Sequence, residues 1–151
     1  LAGMKSPGLS AAPAVAEEAV GILKGHGALG AEKADYKDGR RHIRFKELSA
    51  EEKAELVKEQ PAYGRVICRC ETITEGEILD ALHTEIPATT IDGVKRRCNA
   101  GMGRCQGGFC GPRVLELISR TRGIDPLDVL QDKAGSNVLL CETKQEGTNH
   151  D

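Results

Sequence analysis

Residues 99–111 read Asn-Ala-Gly-Met-Gly-Arg-Cys-Gln-Gly-Gly-Phe-Cys-Gly, with five glycines and two cysteines in 13 positions. Glycine lacks a Cβ, so such a backbone turns tightly and can wrap closely around an object. Cys105-x4-Cys110 puts two sulfurs on this loop. A second pair, Cys68-Arg69-Cys70, lies upstream, where Arg65-Val66-Ile67 predicts a short strand running into it. Two sulfur pairs far apart in the chain predict a small unit built around a thiolate-bound centre.

Helix signals surround both pairs. Thr74 and Glu77 form a capping box that opens a helix through Ile78, Leu79 and Leu82. Pro87 breaks the chain, and Thr90 caps a helix containing Ile91 and Val94. Pro112 seeds a helix with Val114, Leu115, Leu117 and Ile118 on its apolar side. Asp125-Pro126 caps a last short helix through Leu127 and Leu130. The expected fold class is mainly α, with short helices around a Cys/Gly-rich loop and little sheet, over residues 64–140. Residues 25–63 are expected as a linker with one short helix, Ala50 to Glu59, opened by the capping box Ser49-Ala-Glu-Glu52 and stopped by Pro61. Residues 1–24 predict an isolated helix, with Ser6 as N-cap, Pro7 first, and Leu9, Ala12, Ala16, Ala19, Val20 and Leu23 at helical spacing. Gly25, Gly27 and Gly30 end it. Residues 141–151 are expected as a disordered tail.

Composition narrows the options. Of 151 residues, 39% are apolar, Gly reaches 18, and the aromatics are Tyr36, Phe45, Tyr63 and Phe109 with no Trp. One large core cannot be filled from that stock. A net charge of −2 gives no general affinity for nucleic acid or an anionic membrane. The basic patch Arg40, Arg41, Arg44 and Lys46 interleaves with Phe45 alone and reads as solvated surface. The longest uncharged stretch, Ser6 to Ala16, is far too short to span a bilayer. The chain opens at Leu1 without the features of a signal peptide, so it reads as a soluble piece of something longer, cytoplasmic or held at a membrane's periphery by a partner subunit.

Cysteines stand at 68, 70, 98, 105, 110 and 141. A disulfide framework needs a secretory context, and a bridge across a single intervening residue is strained. Reduced, metal-binding thiolates are the better reading. A structural zinc accepts the x4 arm but the x1 arm is unusual for it. A [2Fe–2S] centre asks for two thiolates on each of two irons, which two cysteine pairs supply; the plant-type spacing is absent, and no Cys-x-His pair suggests a Rieske centre. Arg69, Lys95, Arg96, Arg97 and Arg104 lie near the cysteines in sequence and either offset an anionic centre or keep a helix face wet. Cys110 precedes a helix whose amides favour a thiolate. His26, His42, His83 and His150 follow no ligand spacing, and Met102 reads as packing. No nucleophile–His–acid arrangement exists, so no catalytic residue is assigned.

The strings RVICRCETITEGEI and IDGVKRRCNAGMGRCQGGFCGPRV resemble the bacterioferritin-associated-ferredoxin-like [2Fe–2S]-binding domain. They are similar in particular to the version fused to the C-terminus of FAD-dependent glycerol-3-phosphate dehydrogenases and related 2-hydroxyacid oxidoreductases. The resemblance implies Cys68, Cys70, Cys105 and Cys110 as cluster ligands, with zinc as the metal an isolated fragment can take up instead. Cys98 departs from the set, since that position is often threonine; it reads as a spare thiol able to substitute for Cys105 in a misassembled site. Cys141 reads as a bystander. The opening GMKSPGLSAAPAVAEEAV is similar to the last helix of the flavin domain in those enzymes, which implies that Gly8, Leu9 and Ser10 approach FAD. The partners implied are the rest of the flavin domain and an electron-acceptor subunit or carrier; a second copy of the chain could also cover the first helix. A docking module with a structural metal and no electron transfer is the rival reading.

Overall fold

A computed structural model describes residues 3–36, 39 and 42–143. The chain divides into two compact units, residues 1–41 and 42–151. The first unit holds α1, Gly8–Gly25, with Pro7 rather than Ser6 as the capping residue and no side-chain cap. The prolyl ring fixes φ near helical values at Pro7, so the chain enters the helix one residue later than a Ser6 cap requires. Ala28 N–H reaches back to Leu23, and Gly27 takes a left-handed φ of +64°, which closes the C-terminus. No residue of α1 is buried.

The second unit contains α2 (Ala50–Glu59), β1 (Val66–Cys68), β2 (Ile73–Thr74), α3 (Glu75–Leu82), α4 (Ile91–Cys98) and α5 (Gly111–Arg122). The architecture is mainly α, as expected, with one two-stranded antiparallel sheet in which Val66 faces Thr74 and Cys68 faces Ile73. β2 was not foreseen: two residues carry no periodicity, and the turn depends on Thr72 adopting φ +56°. Both expected capping boxes are present, at Ser49/Glu52 and Thr74/Glu77, and Thr90 Oγ1 accepts the Gly93 N–H as foreseen.

Ile78, Val94, Val114, Ile118 and Val129 form the fully buried heart, where α3, α4 and α5 pack together. The helix expected through Leu130 stops early, as a 3-10 turn at Pro126–Asp128. Beyond it the chain extends, because the Leu130 and Gln131 carbonyls accept the Ile91 and Asp92 N–H groups at the start of α4. Residues 42–63 pack with this unit. Tyr63 is 1% exposed and bonds Asp80 of α3, and the Phe45 N–H donates to the Glu77 carboxylate. No helix among the described residues is long and apolar enough to cross a membrane. Arg40, Arg41, His150 and most of the expected tail lie outside the described residues.

Candidate metal centre

β1 carries Cys68 into the core, and Cys70 emerges two residues later in the turn toward β2. Cys105 sits in the glycine loop and Cys110 is the capping residue of α5. The loop is shaped by its own bonds. The Gln106 and Gly108 amides donate to the Gly103 and Cys105 carbonyls, Gly111 N–H donates to Gly107, and the Gln106 side chain donates to Met102 and Gly103. Gln106 and Gly107 take φ of +48° and +85°, a curl that left-handed residues permit. Gly103 presses on the other arm, where a Cβ would lie 2.2 Å from Cys70 Cβ.

These elements bring the four sequence-designated cysteines together. Cys70 Sγ and Cys105 Sγ are 3.5 Å apart, and the Cys110 thiol has Cys68 as its electrostatic neighbour. Each pair joins one cysteine of the first arm to one of the second. The amide of Phe109 foremost, then the Cys70 thiol and the amides of Gly107 and Gly108, holds Cys105 below the ordinary thiol value. Burial, with the neighbouring Cys68, pushes Cys110 up to about 11. Cys98 is not in these contacts: its thiol donates to the Val94 carbonyl, and burial pushes it up to about 11. Cys141 is exposed.

The sulfurs line a cleft of about 800 Å³ together with Arg65, Arg69, Arg113 and Arg120. Arg65 and Arg120 converge on the buried Glu75 carboxylate, at 2.6 and 2.9 Å. Arg69 was foreseen near the cysteines, but the α4 cations turn elsewhere: Lys95 toward Asp92, Arg96 to Asp132, and Arg97 to the Gly93 and Ile86 carbonyls. Sequence adjacency missed Arg65, Arg113, Arg120 and Glu75. A signal existed on α5, because positions 113, 116, 117 and 120 share one helical face. Gly8, Leu9 and Ser10 form the first turn of α1 in the other unit, with Leu9 exposed.

Comparison with known proteins places this geometry in context. Residues 66–120 match the BFD-like [2Fe-2S] binding domain family. A glycerol 3-phosphate dehydrogenase of Caloramator mitchellensis is 49% identical over 147 residues, 97% of this chain and 31% of that protein. One subunit of the opine oxidase of Rhizobium meliloti is 39% identical over 64 residues, 42% of this chain and 12% of its own length. One subunit of the anaerobic glycerol-3-phosphate dehydrogenase of Haloferax volcanii is 39% identical over 54 residues, 36% of this chain and 9% of its own. The chain thus spans less than a third of these relatives, and no solved structure matches it. The segment that carries Cys68, Cys70, Cys105 and Cys110 is thus the one similar to the BFD-like [2Fe-2S] binding domain family.

Proposed function

We propose that Cys68, Cys70, Cys105 and Cys110 hold a [2Fe–2S] cluster. The domain then passes electrons singly between the FAD of a larger dehydrogenase, one oxidising a hydroxylated substrate such as glycerol 3-phosphate, and an acceptor subunit or carrier. The carrying observation is that all four sulfurs line one cleft, with Cys70 and Cys105 in contact across the arms at 3.5 Å. That donor set suits a centre needing two thiolates on each iron. One-electron exchange is the chemistry such a cluster supplies when bound.

The chain's own residues do the rest. The Phe109, Gly107 and Gly108 amides stabilise charge on the Cys105 sulfur, a recognised control on potential. Gly103 lets the loop close onto the Cys70 arm. Cys68 and Cys110, both nearly fully buried, keep water from their side of the site. In the same reading, Gly8, Leu9 and Ser10 approach the electron-rich end of the flavin ring, with the Leu9 and Ser10 amides as donors while the Gly8 amide bonds the Lys5 carbonyl.

Anaerobic reconstitution of the full chain with iron and sulfide tests the reading. About two irons and two sulfides per chain, a visible charge-transfer band that bleaches on reduction, and loss of both with Cys105→Ser are expected. A colourless protein that binds zinc tightly and takes up no iron overturns it.

A further inference from the structure

We propose that the mouth of the cysteine cleft is a docking surface for an acidic electron-carrier protein, an inference that rests on the [2Fe–2S] reading above. Phe109 stands 86% exposed, immediately before buried Cys110, and lines the cleft. The chain has only four aromatic residues, and this one makes no ring contact among the described residues, where Phe45 and Tyr63 pair with each other. A solvated phenyl ring one residue from a sulfur is the apolar anchor expected at the centre of a small protein interface.

The surrounding charge selects the partner. Four arginines and two glutamates line the cleft, a balance of +2 in a chain of net −2. Arg69 is exposed and forms no ion pair among the described residues. Among the described residues, Arg113 pairs only with Glu116 in an exposed contact one helical turn away, which screens it little. A loaded cluster adds negative charge among its four cysteines, of which Cys68 and Cys110 are buried. Arg65, Arg69, Arg113 and Arg120 are all exposed, so a docked surface meets their guanidiniums directly, and over a screening length of about 10 Å the nearer charges dominate. Carboxylates on a partner therefore meet arginine first, while Phe109 supplies the dry contact beside the electron's exit.

The test measures binding of the iron-loaded full chain to two carrier proteins of opposite charge, an acidic flavodoxin and a basic cytochrome c, at low and high salt. Flavodoxin is expected to bind about tenfold more tightly or better at low salt, with the preference lost at high salt. Arg113→Glu and Arg69→Glu each weaken flavodoxin binding about tenfold, and Phe109→Ala weakens it without changing the salt dependence. Equal or tighter binding of cytochrome c, or charge reversals that leave flavodoxin binding unchanged, overturn the proposal. Duplex DNA bound as tightly as flavodoxin also overturns it, by assigning the arginines to any polyanion. Iron content of the same samples separates the failures: an iron-free wild type sinks the cluster reading itself, whereas a loaded protein without preference sinks only the docking surface.

Discussion

Gly103 is the residue on which the two sulfur arms depend most directly. Its missing Cβ is the space that Cys70 Cβ occupies, and Cys70 Cβ lies too close to its own backbone to yield. Gly103→Ala is expected to leave helix content unchanged by circular dichroism and to reduce iron incorporation about tenfold or more, since a displacement of the arm breaks a geometry that ligands must meet closely. Tyr63 shows a different residue-scale dependence. Burial first, then its bond to Asp80 and the Asp80 and Glu77 charges, holds its phenol above the ordinary value of 10. Above that pH the unfolded chain releases the proton that the folded chain keeps, so stability falls as pH rises. Tyr63→Phe is expected to cost about 1–3 kcal/mol near neutrality through the lost hydrogen bond to a carboxylate. It should also flatten the alkaline decline, read from urea midpoints at about pH 8 and about pH 11. Of these residues, the cysteines were legible because their spacing is itself the chemistry. Tyr63 was not, because its burial depends on Gly76, where a Cβ would come within 2.4 Å of the ring.

Elements were legible where a local motif decides them, and their energetic weight was not. The capping boxes at Ser49/Glu52 and Thr74/Glu77 look alike in sequence and form alike. Ser49 and Glu52 meet in exposed positions, so water replaces much of what a substitution removes. Thr74 is fully buried, and its hydroxyl and amide both donate to the Glu77 carboxylate, which also takes the Phe45 N–H. Ser49→Ala is therefore expected to cost about 0.5–1 kcal/mol, and Thr74→Ala about 2 kcal/mol or more, because losing the hydroxyl strips one donor from a buried carboxylate and leaves the Glu77 N–H without its acceptor. Urea titration of the iron-loaded variants measures the difference; equal costs would show that burial adds nothing to the cap. The last turn failed to be read for the opposite reason. Leu127 and Leu130 have helical spacing, but the start of α4 has amides that need acceptors, and the extended chain at Leu130 and Gln131 supplies them.

For the whole molecule, the outcome turns on which residues the small core needs. Among the described residues, everything buried lies from Tyr63 onward, while α1 buries no residue along its 18 positions. Deleting residues 1–41 is thus expected to leave the urea midpoint and iron content of the remainder unchanged, since no buried residue among those described is removed. Deleting residues 1–64 removes Phe45 and Tyr63 and exposes the face of α3 that Tyr63 covers. Removing a buried aromatic typically costs about 3–5 kcal/mol, and a core this small has little more than that in reserve. The longer deletion should therefore fold only when iron and sulfide are supplied, because cluster binding adds to folding free energy. Circular dichroism of both truncations, with and without reconstitution, decides the matter. If the shorter deletion unfolds the domain, α1 contributes stability that its exposure does not explain; if the longer one folds without iron, the packing of residues 42–63 is dispensable.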